Sequence, residues 1–142
     1  SANNHTDNFK AWLAAQMQPV RILLIEDDPG IRALLLAIAK NYFCEVDVAV
    51  NAAEGIAMAQ EKPHRLMLVD VRLGDGPDGL TMLRAIRAAG NRSPAVIISG
   101  YATEELLAEA SSLGFVPVVK KPECLGPRFI AEMFAVFNIP NR

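Results

Sequence analysis

The sequence predicts an α/β domain with a doubly wound, five-stranded parallel sheet. Five short apolar segments alternate along the chain with five segments whose apolar residues recur at helical spacing. Strands that helices cover on both faces read as continuous apolar runs, and right-handed crossovers place helices on both sides of the sheet. The 142 residues are 51% hydrophobic and 21% charged, which is typical of one globular domain with a buried core.

Charge and cysteine content exclude several classes of protein. Fourteen Lys and Arg nearly balance sixteen Asp and Glu, so the basic surface of a nucleic-acid-binding protein is absent. The longest apolar run, at 33–39, is too short to span a bilayer, and the N-terminal stretch lacks the apolar core of a signal peptide. Cys44 and Cys124 are too few for a disulfide framework or a four-ligand zinc site. We expect a cytoplasmic protein without nucleic-acid or membrane partners.

An N-terminal extension at 1–19 precedes the alternating part of the chain, which is predicted to form a domain at 20–138 with a tail at 139–142. Four apolar residues of the extension have near-helical spacing: Phe9, Trp12, Leu13 and Met17. This stripe predicts a short amphipathic helix that Gln18-Pro19 ends. It fits a helix docked against the domain, a contact between the chains of a homodimer, or the remnant of an upstream linker.

Local signals mark the first strands and helices of the domain. A strand at 21–26 is followed by Asp28-Pro29, an N-cap residue with proline at the first helical position. The alternating valines at 45–50 predict a second strand. Asn51 and Glu54 resemble a capping box at the start of the second helix.

The remaining elements follow the same alternation. We expect strands at 66–69, 95–98 and 116–119, and helices at 80–89, 103–113 and 127–137. A loop rich in Gly, Asp and Pro, at 74–79, separates the third strand from the third helix. The histidines lie in a polar tail (His5) and in a loop (His64), and we expect both to be solvated.

Polar side chains follow the predicted strands where each strand ends. These residues are Glu26, Asp27, Asp28, Asp70, Ser99, Lys120 and Lys121. Ligands of doubly wound sheets bind beyond the carboxyl ends of the strands. Clustered carboxylates need a cation, and oxygen ligands suit Mg²⁺. An aspartate can attack phosphorus to form an aspartyl phosphate, and a hydroxyl and an ammonium can stabilise the transferring group.

Four segments carry these residues: ILLIEDDPGIR at 22–32, LMLVDVRLGDGPDG at 66–79, VIISG at 96–100 and VVKKP at 118–122. In this order they resemble the receiver domains of two-component response regulators. One segment alone has low specificity, whereas four in succession at strand ends are a specific signal. The resemblance covers residues 20–138 and implies a flavodoxin-like (βα)5 fold with strand order 2-1-3-4-5.

The resemblance implies a role for each acidic residue at this edge. Asp70 would accept the phosphoryl group. Mg²⁺ would be held by Glu26, Asp27, Asp70 and the backbone carbonyl of Arg72. Asp28 is instead expected to cap the first helix of the alternating part.

The phosphoryl group itself would contact other residues of the matched segments. Ser99, Gly100 and Lys121 would bind its oxygens, and the peptide bond before Pro122 would be cis. Lys120 is expected to face solvent, because neighbouring side chains in a strand point to opposite sides.

The resemblance also implies the partners. A histidine kinase or a histidine phosphotransfer protein would supply the phosphoryl group. Phosphorylation would switch contacts with a downstream protein at the face formed by helix 4, strand 5 and helix 5 of the alternating part (103–113, 116–119 and 127–137). Each phosphoryl transfer consumes the acceptor, so we do not expect a turnover enzyme. The stretch after 137 is too short for a DNA-binding or catalytic output domain, so we expect either a single-domain regulator that acts by protein–protein contact or a piece of a hybrid kinase or larger regulator.

Three features depart from the family pattern. Gly74 stands where proline is usual, which alters the approach to the third helix. Val118 stands where an aromatic residue often completes the switch, so the alternative is a receiver-like adaptor that does not switch.

Arg72 and Tyr101, two residues after Asp70 and Ser99, are bulky enough to shield the acyl phosphate from water. They predict slow autodephosphorylation. Arg72 also argues against a phosphatase of the haloacid dehalogenase type, which needs an aspartate there.

Overall fold

The computed structural model describes residues 2–17, 19–73, 76, 78–100, 103–114, 118–120 and 125–142. Its elements, in chain order, are α1 (Ala2–Met17), β1 (Val20–Ile25), α2 (Pro29–Ala39), β2 (Cys44–Ala49), α3 (Ala52–Glu61), β3 (Leu66–Asp70), α4 (Gly79–Ala88), β4 (Ala95–Ser99), α5 (Glu104–Ser112), β5 (Val118–Lys120) and α6 (Pro127–Val136). The predicted alternation of strands and helices is confirmed. Among the described residues, no helix combines the length and apolar character that a membrane span requires.

The five strands form one parallel sheet in the order β2-β1-β3-β4-β5. This order confirms the doubly wound fold. The carboxyl ends of the central strands are aligned, because Ile25 pairs with Val69 and Asp70 pairs with Ile98. The sheet therefore brings the residues that follow β1, β3 and β4 to one edge.

Helices cover both faces of the sheet. Leu24, Leu68 and Ile98 point to the face that α2 and α6 cover, where they pack with residues such as Leu35 and Phe134. Alternate residues of the same strands pack on the other face against α3, α4 and α5: Ile25, Val69 and Ile97 with Ala59, Leu83 and Ala110. Burial of every described strand residue of β3 and β4 explains why these strands are continuous apolar runs.

Helix α1 is longer than predicted, since it begins at Ala2 instead of near Phe9. Residues 2–8 contain no glycine or proline to stop it. Its apolar stripe is open to solvent, with Phe9 60%, Trp12 58% and Met17 67% exposed. The rings of Phe9 and Trp12 stack on each other at 6.3 Å.

The last four residues are attached to the domain. Asn138 has φ 58°, a left-handed conformation that commonly ends a helix, and Ile139 after it is buried. Phe43 donates its N–H to Pro140 O (2.7 Å), and Arg142 donates its N–H to Asn41 O (3.0 Å). The segment at 139–142 therefore forms part of the packed structure beside the start of β2.

Candidate functional site

Two acidic residues follow β1 and differ in exposure. Glu26 is completely buried, and its N–H donates to Ala49 O at the end of β2 (3.0 Å). Its Oε1 accepts the N–H of Asp28 at 3.1 Å. Asp27 is exposed. The backbone pairing with β2 thus carries one carboxylate below the surface and leaves its neighbour open to ligands from solvent.

Asp70 ends β3 and is only 6% exposed. Its Oδ1 accepts the N–H of Arg72 at 3.1 Å, so the chain turns back over the carboxylate directly after the strand. An ionised carboxylate at this depth needs hydrogen bonds or a cation to offset its desolvation. Arg72 itself is exposed.

The three carboxylates form one cluster. Oxygens of Glu26, Asp27 and Asp70 lie within 4.8 Å of one another. Like charges this close repel, and a divalent cation with oxygen ligands removes the repulsion. Two of the three residues are buried, whereas carboxylates without a binding role usually lie at the solvent-exposed surface. The donor set therefore fits Mg²⁺.

The neighbouring strand contributes a buried hydroxyl. Ser99 ends β4 and is 5% exposed, while Gly100 after it is exposed. The backbone of Ser99 pairs with Lys120, the last residue of β5. The described part of this strand is Val118–Lys120, one residue beyond the predicted end at 119, and Val118 pairs with Ile97. The predicted start at 116 lies outside the described residues. Lys121, Pro122, Tyr101, Gly74 and Cys124 lie outside the described residues.

Asp28 has a structural position beside the cluster. It is the N-cap of α2, and its Oδ1 accepts the N–H groups of Gly30 (2.8 Å) and Ile31 (3.1 Å). These bonds satisfy helix-end donors that otherwise lack partners. In the second helix of the alternating part, Asn51 likewise caps by accepting the N–H of Glu54 at 2.8 Å. The acidic segment after β1 thus contains two candidate metal ligands followed by a helix cap.

Two residues near the cluster escaped the sequence prediction. Arg32 donates from Nη1 to the carbonyl oxygens of Glu26 and Asp27. Gly79, at the start of α4, lies so close to β3 that an added Cβ would be 2.2 Å from Asp70 O. Two features of the sequence could have indicated these roles. Arg32 lies about one helical turn after Asp28, and Gly79 begins the helix that follows Asp70.

The prediction for His64 was wrong. Its side chain is completely buried, and Nε2 lies 2.8 Å from Oδ2 of Asp47 on β2. The residue lies two positions before β3, at the amino edge of the sheet and opposite the carboxylate cluster. The carboxylate of Asp47 gives the imidazole a polar partner, which allows this loop histidine to be buried.

Comparisons with known proteins show which family this chain is similar to. Residues 22–128 match the model of the response regulator receiver domain family. The acid tolerance regulatory protein ActR of Sinorhizobium medicae is 33% identical over 102 residues, 71% of this chain and 52% of that protein. A putative NtrX-like response regulator of Rickettsia bellii is 31% identical over 107 residues, 75% of this chain and 22% of that protein. The chain thus spans about a fifth to a half of the length of these relatives.

Solved structures are similar over most of the chain. The N-terminal domain of an uncharacterized protein from Wolinella succinogenes superposes with a TM-score of 0.76 at 28% identity, covering 84% of this chain and 94% of that chain. A CheY-like response regulator receiver domain protein from Methanospirillum hungatei gives a TM-score of 0.75 at 26% identity, covering 83% and 92%.

Proposed function

The chain belongs to the response regulator receiver domain family, and we propose that Asp70 is the residue that accepts the phosphoryl group. Receiver domains are the phosphoacceptors of two-component signalling. The observation that carries the assignment is the burial of Asp70 at the end of β3, within 4.8 Å of the oxygens of Glu26 and Asp27. The chain spans only part of the length of its relatives, so its phosphoryl donor and its downstream partner are proposals too.

In the proposed reaction, a carboxylate oxygen of Asp70 forms a bond to phosphorus. The bond from phosphorus to the donor's imidazole nitrogen breaks at the same centre, and its electron pair stays on that nitrogen. The bond from the Arg72 N–H to Asp70 Oδ1 holds the plane of the carboxylate during this attack. Such fixed orientation removes much of the entropic cost of bringing the two reactants together.

Positive and hydrogen-bonding groups would balance the charge of the transferring group. When bound by Glu26, Asp27, Asp70 and the Arg72 carbonyl, Mg²⁺ supplies positive charge beside the phosphoryl oxygens. The Ser99 hydroxyl, at the end of the adjacent strand, would donate to one of these oxygens. Lys121 and the N–H of Gly100 would complete the set.

A histidine kinase or a histidine phosphotransfer protein is the proposed donor. The proposed consequence is a change in protein contacts at the face formed by α5, β5 and α6, the face predicted from the sequence. Each transfer modifies the domain itself, so we propose a stoichiometric acceptor and not a turnover enzyme.

The direct test is intact-mass measurement after incubation with Mg²⁺ and acetyl phosphate. We expect one phosphoryl adduct in the wild type and none in Asp70→Asn. Asp27→Asn should raise the Mg²⁺ concentration that the reaction needs. Asp28→Asn is the matched control, because asparagine caps helices as well as aspartate does and the residue lies one position further along.

Failure of this test would favour the other candidate function. Val118, in place of the usual aromatic residue, is the feature that favours a receiver-like adaptor. Absence of an adduct, together with unchanged amide spectra on addition of beryllofluoride, would overturn the phosphoacceptor assignment. An adduct that persists in Asp70→Asn would overturn the choice of residue.

A further inference from the structure

The side chain of Arg32 donates hydrogen bonds to the backbone of two residues of the carboxylate cluster. Its Nη1 donates to Glu26 O at 3.1 Å and to Asp27 O at 2.8 Å. Arg32 lies in the first turns of α2, where its own N–H donates to Asp28 O (3.0 Å). Helical side chains lean towards the start of their helix, which lets the guanidinium reach back to the end of β1.

One nitrogen atom therefore bridges two consecutive peptide groups. The carbonyls of Glu26 and Asp27 converge on it, and both hydrogen bonds are charge-assisted, which makes them stronger than bonds between neutral groups. Rotation of either peptide group would break one of these bonds. The same two residues bear the carboxylates that differ in burial. The orientation of the peptide groups of Glu26 and Asp27 therefore affects whether the carboxylate oxygens of both residues lie close to Asp70.

We propose that Arg32 is a positioning residue of the magnesium site. It holds the peptide groups of Glu26 and Asp27 so that their carboxylates converge with Asp70, and it contacts neither the metal nor the phosphoryl group. This role rests on the proposed function, because it presupposes that the cluster binds Mg²⁺.

Charge and geometry make opposite predictions for Arg32. A guanidinium near the cluster repels a divalent cation, so loss of the charge alone would strengthen Mg²⁺ binding. Loss of the bridge would weaken binding, since supporting contacts behind metal ligands typically contribute 10–100-fold to affinity. The sign of the change therefore separates positioning from a simple electrostatic effect.

The test is calorimetric titration of the unphosphorylated protein with MgCl₂. We expect Arg32→Met to weaken Mg²⁺ binding by about tenfold. Arg32→Lys should restore most of the affinity, because one ammonium carries three donors and can bridge both carbonyls. Arg128→Met is the matched control, since the Arg128 side chain on α6 is 95% exposed.

A second readout needs no metal. In metal-free amide spectra, the signals of Asp27 and Asp28 should shift in Arg32→Met and return towards the wild type in Arg32→Lys. Equal or tighter Mg²⁺ binding by Arg32→Met would overturn the positioning role alone. A wild type without saturable Mg²⁺ binding would overturn the proposed function together with it.

Discussion

Nε2 of His64 lies 2.8 Å from Oδ2 of Asp47, and the imidazole is completely buried. The other oxygen of Asp47 accepts a hydrogen bond from Nη1 of Arg21 at 3.0 Å. A polar chain thus joins the loop before β3 to β2 and β1. It lies near the amino edge of the sheet, away from the carboxylate cluster, so its contribution is to stability.

Replacement of this histidine should destabilise the domain. We expect His64→Ala to lower the free energy of unfolding by about 2–3 kcal/mol, because it creates a cavity and removes the buried partner of Asp47. Urea denaturation measures the change. His5→Ala, on the exposed surface of α1, should stay within about 0.5 kcal/mol of the wild type. Equal effects of the two substitutions would contradict the burial of His64.

The glycine that opens α4 should be needed for phosphorylation. In Gly79→Ala the new Cβ would meet Asp70 O at 2.2 Å and Val69 Cγ1 at 2.9 Å. The helix or the strand end must move, and a displacement of about 1 Å at a reacting group can slow a reaction about 100-fold. We expect phosphorylation by acetyl phosphate to slow by about 10–100-fold.

A glycine of the same loop provides the control for this prediction. A Cβ added at Gly76 would meet nothing within 4 Å. Gly76→Ala should therefore be phosphorylated at the wild-type rate. Normal kinetics in Gly79→Ala would show that Asp70 does not depend on this close approach.

The lifetime of the phosphorylated protein should depend on two bulky side chains. Arg72 is exposed two residues after Asp70, and Tyr101 has the same spacing from Ser99. Both are expected to shield the acyl phosphate from water. The double variant Arg72→Ala, Tyr101→Ala should lose its phosphoryl group several-fold faster, as followed by intact mass over time. Slower loss from the variant would refute the shielding.

Stability at alkaline pH should depend on Cys44. Burial raises the pKa of this thiol, and the nearby Arg142 opposes the shift only in part. The unfolded chain therefore releases the proton at lower pH than the folded protein. The stabilisation from Cys44 is complete below the ordinary thiol pKa of 9.0 and is lost as the pH rises through the higher folded pKa.

Denaturation with urea across this alkaline range tests the linkage. The free energy of unfolding should fall less steeply with pH in Cys44→Ala than in the wild type. The comparison is between slopes, because the substitution also changes packing at every pH. Identical slopes would show that the thiol does not titrate differently in the two states.

Much of the site was predictable because it depends on neighbours in the chain. Glu26 directly follows β1, and Asp70 and Ser99 end β3 and β4. A residue at the end of a parallel strand must lie at the carboxyl edge, whatever the details of packing. The N-cap of α2 was predictable for the same reason, since Asp28 bonds to residues two and three positions ahead.

Other features escaped the sequence because they join residues far apart. His64 was expected in solvent and is buried because of Asp47, 17 residues earlier. The last residues were expected to form a tail, yet Arg142 and Pro140 bond to Asn41 and Phe43. No local pattern carries such information.

By itself, the sequence determined the alternation of strands and helices, the edge at which the carboxylates collect, and the receiver family. Hydrophobic periodicity and capping act over a few residues, so they can be read directly from the chain. Only the tertiary structure decided that Glu26 is buried while Asp27 is exposed, and that Arg32 bridges their carbonyls. These outcomes depend on how the end of β1 packs against β2 and α2, and packing is set by the whole domain at once.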